Sequence, residues 1–243
     1  VLFSFFPLPS LGQGKITFCY ESIAQPPYYF GEGAEVPRRN PGLYISLVKI
    51  IAESEGIDIS FRRMPWIQCL RWFRRGDIDA LLSSPYLKQR ERFGVYPGGS
   101  GDPDERYRIS RKSYYEYTIF PNSSRIGKHY YTRRNILISV IRGYGIENAL
   151  RKKGIDRFVF VDAPRDGLQL LESRQIGSFI NLELPTDSQV DILNLRNLRK
   201  SNLPVWTRND YVVFNRVFYK KNRELADRFW SEIFHQKKFF GLD

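Results

Sequence analysis

The segment Ile78 to Pro97, IDALLSSPYLKQRERFGVYP, carries the side chains best suited to chemistry. An apolar run ends at Ser83-Ser84-Pro85 and gives way at once to Lys88, Arg90 and Arg92. A guanidinium offers two parallel donors to a carboxylate and keeps its charge at any physiological pH, so an Arg just past a strand end suits anion capture better than Lys. The same edge admits a plainer reading, a basic turn running out into solvent. Trp66 follows Pro65 at a helix start, where an indole can stack on a flat or cationic group; ordinary core packing is the alternative. In Arg142-Gly143-Tyr144-Gly145, between a strand and a helix, backbone N–H groups can donate to an anion with the helix dipole behind them. A simple turn is the alternative there.

No catalytic set accompanies these groups. His129, in the run RIGKHYYTRR, and His235, in the last helical segment, stand away from strand ends, and Ser83 and Ser84 have no evident base to activate them. Cys19 and Cys69 form no C-x-x-C pair and have no neighbouring His, which argues against a structural zinc site. They are expected as two small buried thiols, although export would permit a disulfide.

The elements that must position these residues follow from periodicity. KITFC alternates as a strand, and after Gly42 the apolar residues Leu43, Leu47, Val48 and Ile51 recur at helical spacing until Gly56. DISFRRM reads as a strand, WIQCLRWFRRG as a helix and Ile78 to Leu82 as a buried strand. After a polar, Gly-rich passage and the strand YYEYTIFPN the pattern restarts: NILISVI, a turn, IENALRKKG, RFVFV, DGLQLLESRQ and GSFINLEL. DYVVFNRVF adds one more strand. A final helix follows, with Leu225, Phe229, Trp230, Ile233 and Phe234 on its apolar side. Alternating strands and helices imply α/β units with largely parallel sheets. In such sheets the ligand crevice lies at the carboxyl ends of the strands, so residues after Cys19, Met64, Leu82, Ile141 and Ile180 are expected around any site.

Bulk composition sets wide bounds. A chain of 243 residues, 42% hydrophobic and 15% aromatic, is long and apolar enough to fold rather than remain disordered. Its formal net charge of +12 favours anionic partners by long-range attraction. KHYYTRRN and FRRMPW interleave basic and aromatic residues as single-strand nucleic-acid binders do. Basic residues are scattered over the chain and no recognised binding module is present, so no nucleic acid is expected as a partner. The apolar start, Val1 to Leu11, followed by the small-x-small Ser10-Leu11-Gly12, reads as the end of a secretory signal, with an apolar terminal arm as the alternative. A periplasmic location is expected.

In order, PPYYF, GLYISLVKIIAESEG, MPWIQCLRWFRRGDIDALLSS, RERFGVYP, VIRGYG and GLQLLESRQIGSFI resemble the family 3 extracellular solute-binding proteins, the polar amino-acid type of periplasmic binding protein. The resemblance covers about Lys15 to Lys237. It implies a type II fold of two lobes, each a mainly parallel sheet flanked by helices, with a small solute trapped between them. Lobe 1 would comprise 15–109 and 185–243 and lobe 2 residues 110–184, leaving 1–14 as signal remnant or arm. It also implies that Tyr28 or Tyr29, together with Trp66, contacts the ligand's side chain, and that Ser83, Ser84, Tyr86 and Arg90 hold its carboxylate. Delivery to an ABC transporter permease is implied as well, with a sensing module for a signalling partner as the alternative. The chain is expected to be a monomer, to need no cofactor and to catalyse nothing.

Two departures from the family pattern bear on the ligand. The run Leu87-Lys88-Gln89-Arg90 lacks the family's Thr, and Leu182, flanked by Asn181 and Glu183, stands where an Asp would pair with an α-amino group. A leucine cannot balance an ammonium. Glu21 would compensate if it faces the cleft. The expected ligand is therefore anionic or zwitterionic, either amino-acid-like or another carboxylate.

Overall fold

The computed structural model describes residues 14–99, 101–119 and 136–242. Apart from Gly14, the expected signal remnant lies outside the described residues, as does the basic run around His129. The first half is built from β1 (Lys15–Glu21), α1 (Leu43–Ser54), β2 (Asp58–Met64), α2 (Trp66–Arg75) and β3 (Ala80–Pro85). A 3-10 turn (Lys88–Arg92), β4 (Gly94–Val95) and the long β5 (Ser110–Thr118) come next. The second half contains β6 (Ile138–Ile141), α3 (Ile146–Lys152), β7 (Phe158–Val161), α4 (Pro164–Glu172), β8 (Ser178–Leu182) and α5 (Glu183–Ile192). The chain then returns through β9 (Arg199–Lys200) and β10 (Trp206–Asn215) to α6 (Arg216–Lys221) and α7 (Arg223–Gln236).

Local chemistry sets the helix limits. Helix α1 opens after Gly42, where φ is 105° and a Cβ would lie 2.4 Å from the Tyr29 Cα, so a side chain has no room at that turn. Helix α2 starts after extended Pro65 and stops at left-handed Gly76, with Arg74 and Arg75 in its last turn beside the negative end of the helix dipole. Its buried residues, Trp66, Cys69, Leu70 and Phe73, recur at i, i+3, i+4 and i+7 and form one face.

The strands run in the order β2-β1-β3-β10-β5-β8-β6-β7. Pairing is parallel within β2-β1-β3 and within β8-β6-β7, and antiparallel wherever β5 or β10 takes part. Two mainly parallel lobes are thus joined by two long antiparallel strands. The first part of β10 pairs with β5 (Trp206 opposite Tyr114, Arg208 opposite Lys112) and the later part with β3 (Tyr211 opposite Ser84, Phe214 opposite Ala80). Asp210 is where one partnership passes to the other, for it stands opposite both Ser110 and Pro85.

Both faces of the sheet are covered in each lobe. In the first lobe Phe18, Ala80 and Phe214 pack with residues of α1 and α7, while Cys19, Leu81 and Val213, one step along their strands, pack with α2. That alternation follows from the two-residue period of a strand. Burying side chains of this size stabilises by roughly 1.5–3 kcal/mol each. In the second lobe Val140 and Leu182 pack with α3, and Phe179 packs with Leu168 and Leu171 of α4. Leu193, Leu195 and Leu198, beyond α5, also pack on this second-lobe cluster.

Four expectations need correction. Strand β3 runs through Ser83-Ser84-Pro85 instead of ending before them, because β10 supplies partners for Ser84 and Pro85. The chain enters α5 directly after Leu182, a helix whose only buried residues are Pro185 and Thr186 and which therefore carries no apolar stripe. Phe234 on α7 is 42% exposed; its ring meets Tyr107 edge-on at 6.1 Å, and Ala226 fills the buried face instead. Cys19 and Cys69 are joined in a disulfide rather than left as thiols, since β1 and α2 bring their Cα atoms to 5.8 Å, within the reach of such a bridge.

Candidate functional site

Where the lobes meet, a cavity of about 20 Å³ is lined by Tyr20, Glu21, Gln25, Tyr29, Trp66, Ser83, Pro85, Lys112, Tyr144, Arg208 and Asp210. Four of the five strand ends expected around a site contribute: those after Cys19, Met64, Leu82 and Ile141. The fifth, after Ile180, opens on a neighbouring recess of about 120 Å³ that Leu182 and Glu183 share with Tyr28 and Lys112.

The floor comes from the two joining strands. Asp210 is fully buried, and its carboxylate accepts from Ser83 Oγ at 2.7 Å and from Arg208 Nη2 at 3.2 Å. Arg208 Nε lies 2.8 Å from Asp210 Oδ1 as an ion-pair contact without hydrogen-bond alignment, and Lys112 Nζ lies 3.5 Å from Oδ2. Burial alone would push the Asp210 carboxyl up, but Arg208 and Lys112 outweigh it and hold the group below the usual carboxylate range. Desolvation pushes the Lys112 ammonium down to about 8, against the pull of Asp210. Lys112 and Arg208 stand directly opposite each other on adjacent strands. Such a like-charge pair is unfavourable unless an anion lies between them.

Aromatic faces complete the floor. Lys112 Nζ sits 4.5 Å from the centroid of the Tyr28 ring and 5.1 Å from that of Tyr44, two stacked rings 4.7 Å apart. Arg208 lies over Tyr114 and Trp206 at 5.0 and 5.5 Å. Cations are stabilised over the negative faces of aromatic rings, most strongly where water is excluded.

First-lobe residues form one wall. Glu21, at the end of β1, accepts from the backbone N–H of Ser22 at 3.1 Å and of Trp66 at 3.2 Å, so it caps α2, whose own preceding residue is a proline. Desolvation nevertheless pushes its carboxyl up to about 7, against those hydrogen bonds. Arg90, in the 3-10 turn, is buried one layer behind the cavity. Its Nη1 donates to Ser84 Oγ at 2.7 Å and to the Pro85 carbonyl at 3.3 Å, and burial lowers its pKa. Its guanidinium lies 5.6 Å from the Trp66 ring centroid.

The second lobe closes over this wall at Gly143 and Tyr144. The Gly143 carbonyl accepts from Trp66 Nε1 at 3.2 Å and from Arg90 Nη2 at 3.4 Å, and Tyr144 OH accepts from Gln25 Nε2 at 2.7 Å. The Tyr144 ring packs against one core cluster of the first lobe and both of the second. Sequence reasoning assigned backbone N–H donors to this turn, but those of Arg142 and Tyr144 are taken by Val161 and Ile141 carbonyls. The turn presents a carbonyl to the cleft.

The other expected site residues are placed further out. Arg142 is exposed and pairs with Asp162 at 3.1 Å, and Tyr86 OH donates to Glu91 at 2.6 Å. Lys88 and Arg92 are exposed. The buried Asn181 amide donates to Thr186 Oγ1 at 2.9 Å. Leu182 is part of the core under α3, and Glu183 is engaged by Lys200 at 2.9 Å. Gln25, Lys112, Arg208 and Asp210 were not anticipated. The one sequence signal for the last three is charge inside otherwise strand-like segments, RKSYYEYT and WTRNDYVVF, and Gln25 has none.

No protein-family model matches the sequence, and no curated protein does. Solved structures match over almost the whole chain. A histidine kinase sensor domain with similarity to periplasmic binding proteins superposes with a TM-score of 0.73 at 17% identity, over 93% of this chain and 92% of that one. An ancestral arginine-binding protein bound to glutamine gives 0.68 at 16% identity over 93% of each chain. The substrate-binding protein of an amino acid ABC transporter gives 0.66 at 15% identity, over 94% of this chain and 95% of that one. The chain therefore has the two-lobed α/β fold of the periplasmic binding proteins, in agreement with the resemblance read from its motifs. Among the described residues no helix is long and apolar enough to cross a membrane.

Proposed function

We propose that the chain is an extracytoplasmic solute-binding module that captures a small anionic or zwitterionic solute between its lobes and performs no chemistry on it. The observation that carries this reading is the charge at the lobe junction, where the buried Arg90 and Lys112 and the nearly buried Arg208, its side chain 9% exposed, have among the described residues one carboxylate in contact with any of them, Asp210. A buried cation without a counter-ion is costly, and an arriving anion removes that cost. A cavity of about 20 Å³ has room for roughly one water, so capture requires Gly143 and Tyr144 to swing away from Trp66, Arg90 and Gln25. In this reading residues 185–205 move with the second lobe, because Leu193, Leu195, Leu198 and Val205 pack there.

Delivery to an ABC transporter permease is the role we assign first. The amino acid transporter component that shares the fold supports it. A second reading, in which the same binding event is passed to a signalling partner, is supported by the overlay with the sensor domain of a histidine kinase. The test common to both is a thermal-shift screen of amino acids, carboxylates and small peptides. At least one carboxylate is expected to raise the melting temperature, and Arg90→Ala is expected to lose that response. A screen with no stabilising solute refutes the proposal. A variant that binds the hit as well as the parent removes Arg90 as the anchor.

A further inference from the structure

Four observations at the lobe junction concern the charge of the solute, and they rest on the solute-capture reading above. First, the aromatic face that would attract a cationic group is already filled by the protein's own cation: Lys112 lies over both Tyr28 and Tyr44 and donates to Gln25 Oε1 at 3.2 Å. Second, the carboxylate that would pair with an ammonium, Asp210, is already engaged by Lys112, Arg208 and Ser83. Third, the Arg90 guanidinium is met by neutral groups, the oxygens of Ser84, Pro85 and Gly143 and the Tyr96 hydroxyl, and among the described residues no carboxylate contacts it, so its charge is left unbalanced. Fourth, the remaining carboxylate of the cleft, Glu21, is turned to the backbone N–H groups of Ser22 and Trp66 rather than to a cation. Three cations thus share one paired carboxylate. Leaving aside Glu21, which contacts none of the three, the surplus is two positive charges, divided between the 3-10 turn and the joining strands.

We propose that this cleft selects a small dicarboxylic acid without an ammonium group, one carboxylate going to Arg90 and the other to the Lys112 and Arg208 pair. Lys112 acts as a built-in occupant of the cation position. It excludes basic and zwitterionic solutes by repulsion while contributing half of the second anionic anchor. Specificity of this kind comes as much from the group that repels the wrong solute as from those that attract the right one.

The test is titration of the full chain at pH 7 and constant ionic strength with succinate, glutarate, butyrate, L-glutamate, L-arginine, sulfate and orthophosphate. Succinate or glutarate is expected to bind at least roughly tenfold more tightly than butyrate, the value of one charge-assisted contact. Glutarate is expected to exceed L-glutamate, which differs by the ammonium, and L-arginine is expected not to bind. Lys112→Gln, checked for a cooperative melt, is expected to reduce the dicarboxylate-to-monocarboxylate ratio and to admit L-glutamate more readily. Equal binding of butyrate and succinate, tighter binding of L-glutamate or L-arginine, or binding of sulfate or orthophosphate alone overturns the dicarboxylate assignment while leaving solute capture standing. If none of these probes binds but an amino acid or peptide of the wider screen does, the assignment again fails alone. If nothing in either set binds, solute capture fails with it.

Discussion

Replacing Asp210 with Asn tests the charge balance at the lobe junction most directly. The two side chains have nearly the same shape, so Ser83 keeps an acceptor, while Lys112 and Arg208 lose the one carboxylate that contacts them among the described residues. Breaking a buried pair by removing one partner destabilises by about 3–5 kcal/mol. For a chain of this size each kcal/mol lowers the melting temperature by roughly 2–4 °C, which gives a fall of about 6–20 °C at pH 7. The loss should carry a pH signature. Lys112 already has its pKa pushed down to about 8, so the folded state holds fewer protons than the unfolded chain above that pH, and stability rises as pH increases through it. Without Asp210 that relief begins at lower pH, because the attraction that kept the ammonium charged is gone. Melts of parent and variant from pH 6 to 9 should therefore converge as pH rises. A loss below about 1 kcal/mol, the scale of an exposed pair, would refute the account, as would a loss independent of pH.

Two further expectations follow from neighbouring groups. Because Glu21 has its pKa raised to about 7, the folded state holds a proton that the unfolded chain has released, so stability should fall as pH rises from about 4.5 through 7. Glu21→Gln should flatten that slope in a series of urea melts, and an unchanged slope would mean that another group causes it. The Cys19–Cys69 disulfide closes a loop with a sequence separation of 50. Replacing both cysteines with Ala should cost about 4 kcal/mol on the loop-entropy scale, measured as a lower denaturation midpoint, and an unchanged midpoint would show that the bridge contributes nothing.

The architecture was readable where local signals agreed. Helices α1 and α2 each have an apolar face bounded by glycines or proline, and β1 and β2 alternate or carry branched and aromatic side chains. The end of β3 is not legible locally because its last partners, Asp210 and Tyr211, come from a strand far along the chain. Helix α5 went unseen because ELPTDSQVDI shows no apolar period, being held at its start by Pro185 and Thr186. At the site, Glu21, Trp66, Ser83 and Tyr144 could be singled out by their place after a strand or at a helix start. Lys112, Arg208 and Asp210 could not. Each is a charged residue in a strand, a pattern that reads as a solvated face, and only the pairing of β5 with β10 turns all three inward. Cross-strand register depends on contacts between residues about 95 positions apart, and no local period reports it.

The double partnership of β10 bears on the order of events during binding. Asp210, Arg208 and Lys112 sit on the strands that join the lobes, so a change in the angle between lobes leaves this trio assembled. Gln25 and Tyr144, or Trp66 and Gly143, part instead. The field of the cations is therefore in place before the walls come together, like a berth prepared ahead of arrival. In the proposed capture, a solute drawn in by that field meets Lys112 and Arg208 on the joining strands first and Arg90 of the first lobe beside them, so closure seals a solute already oriented.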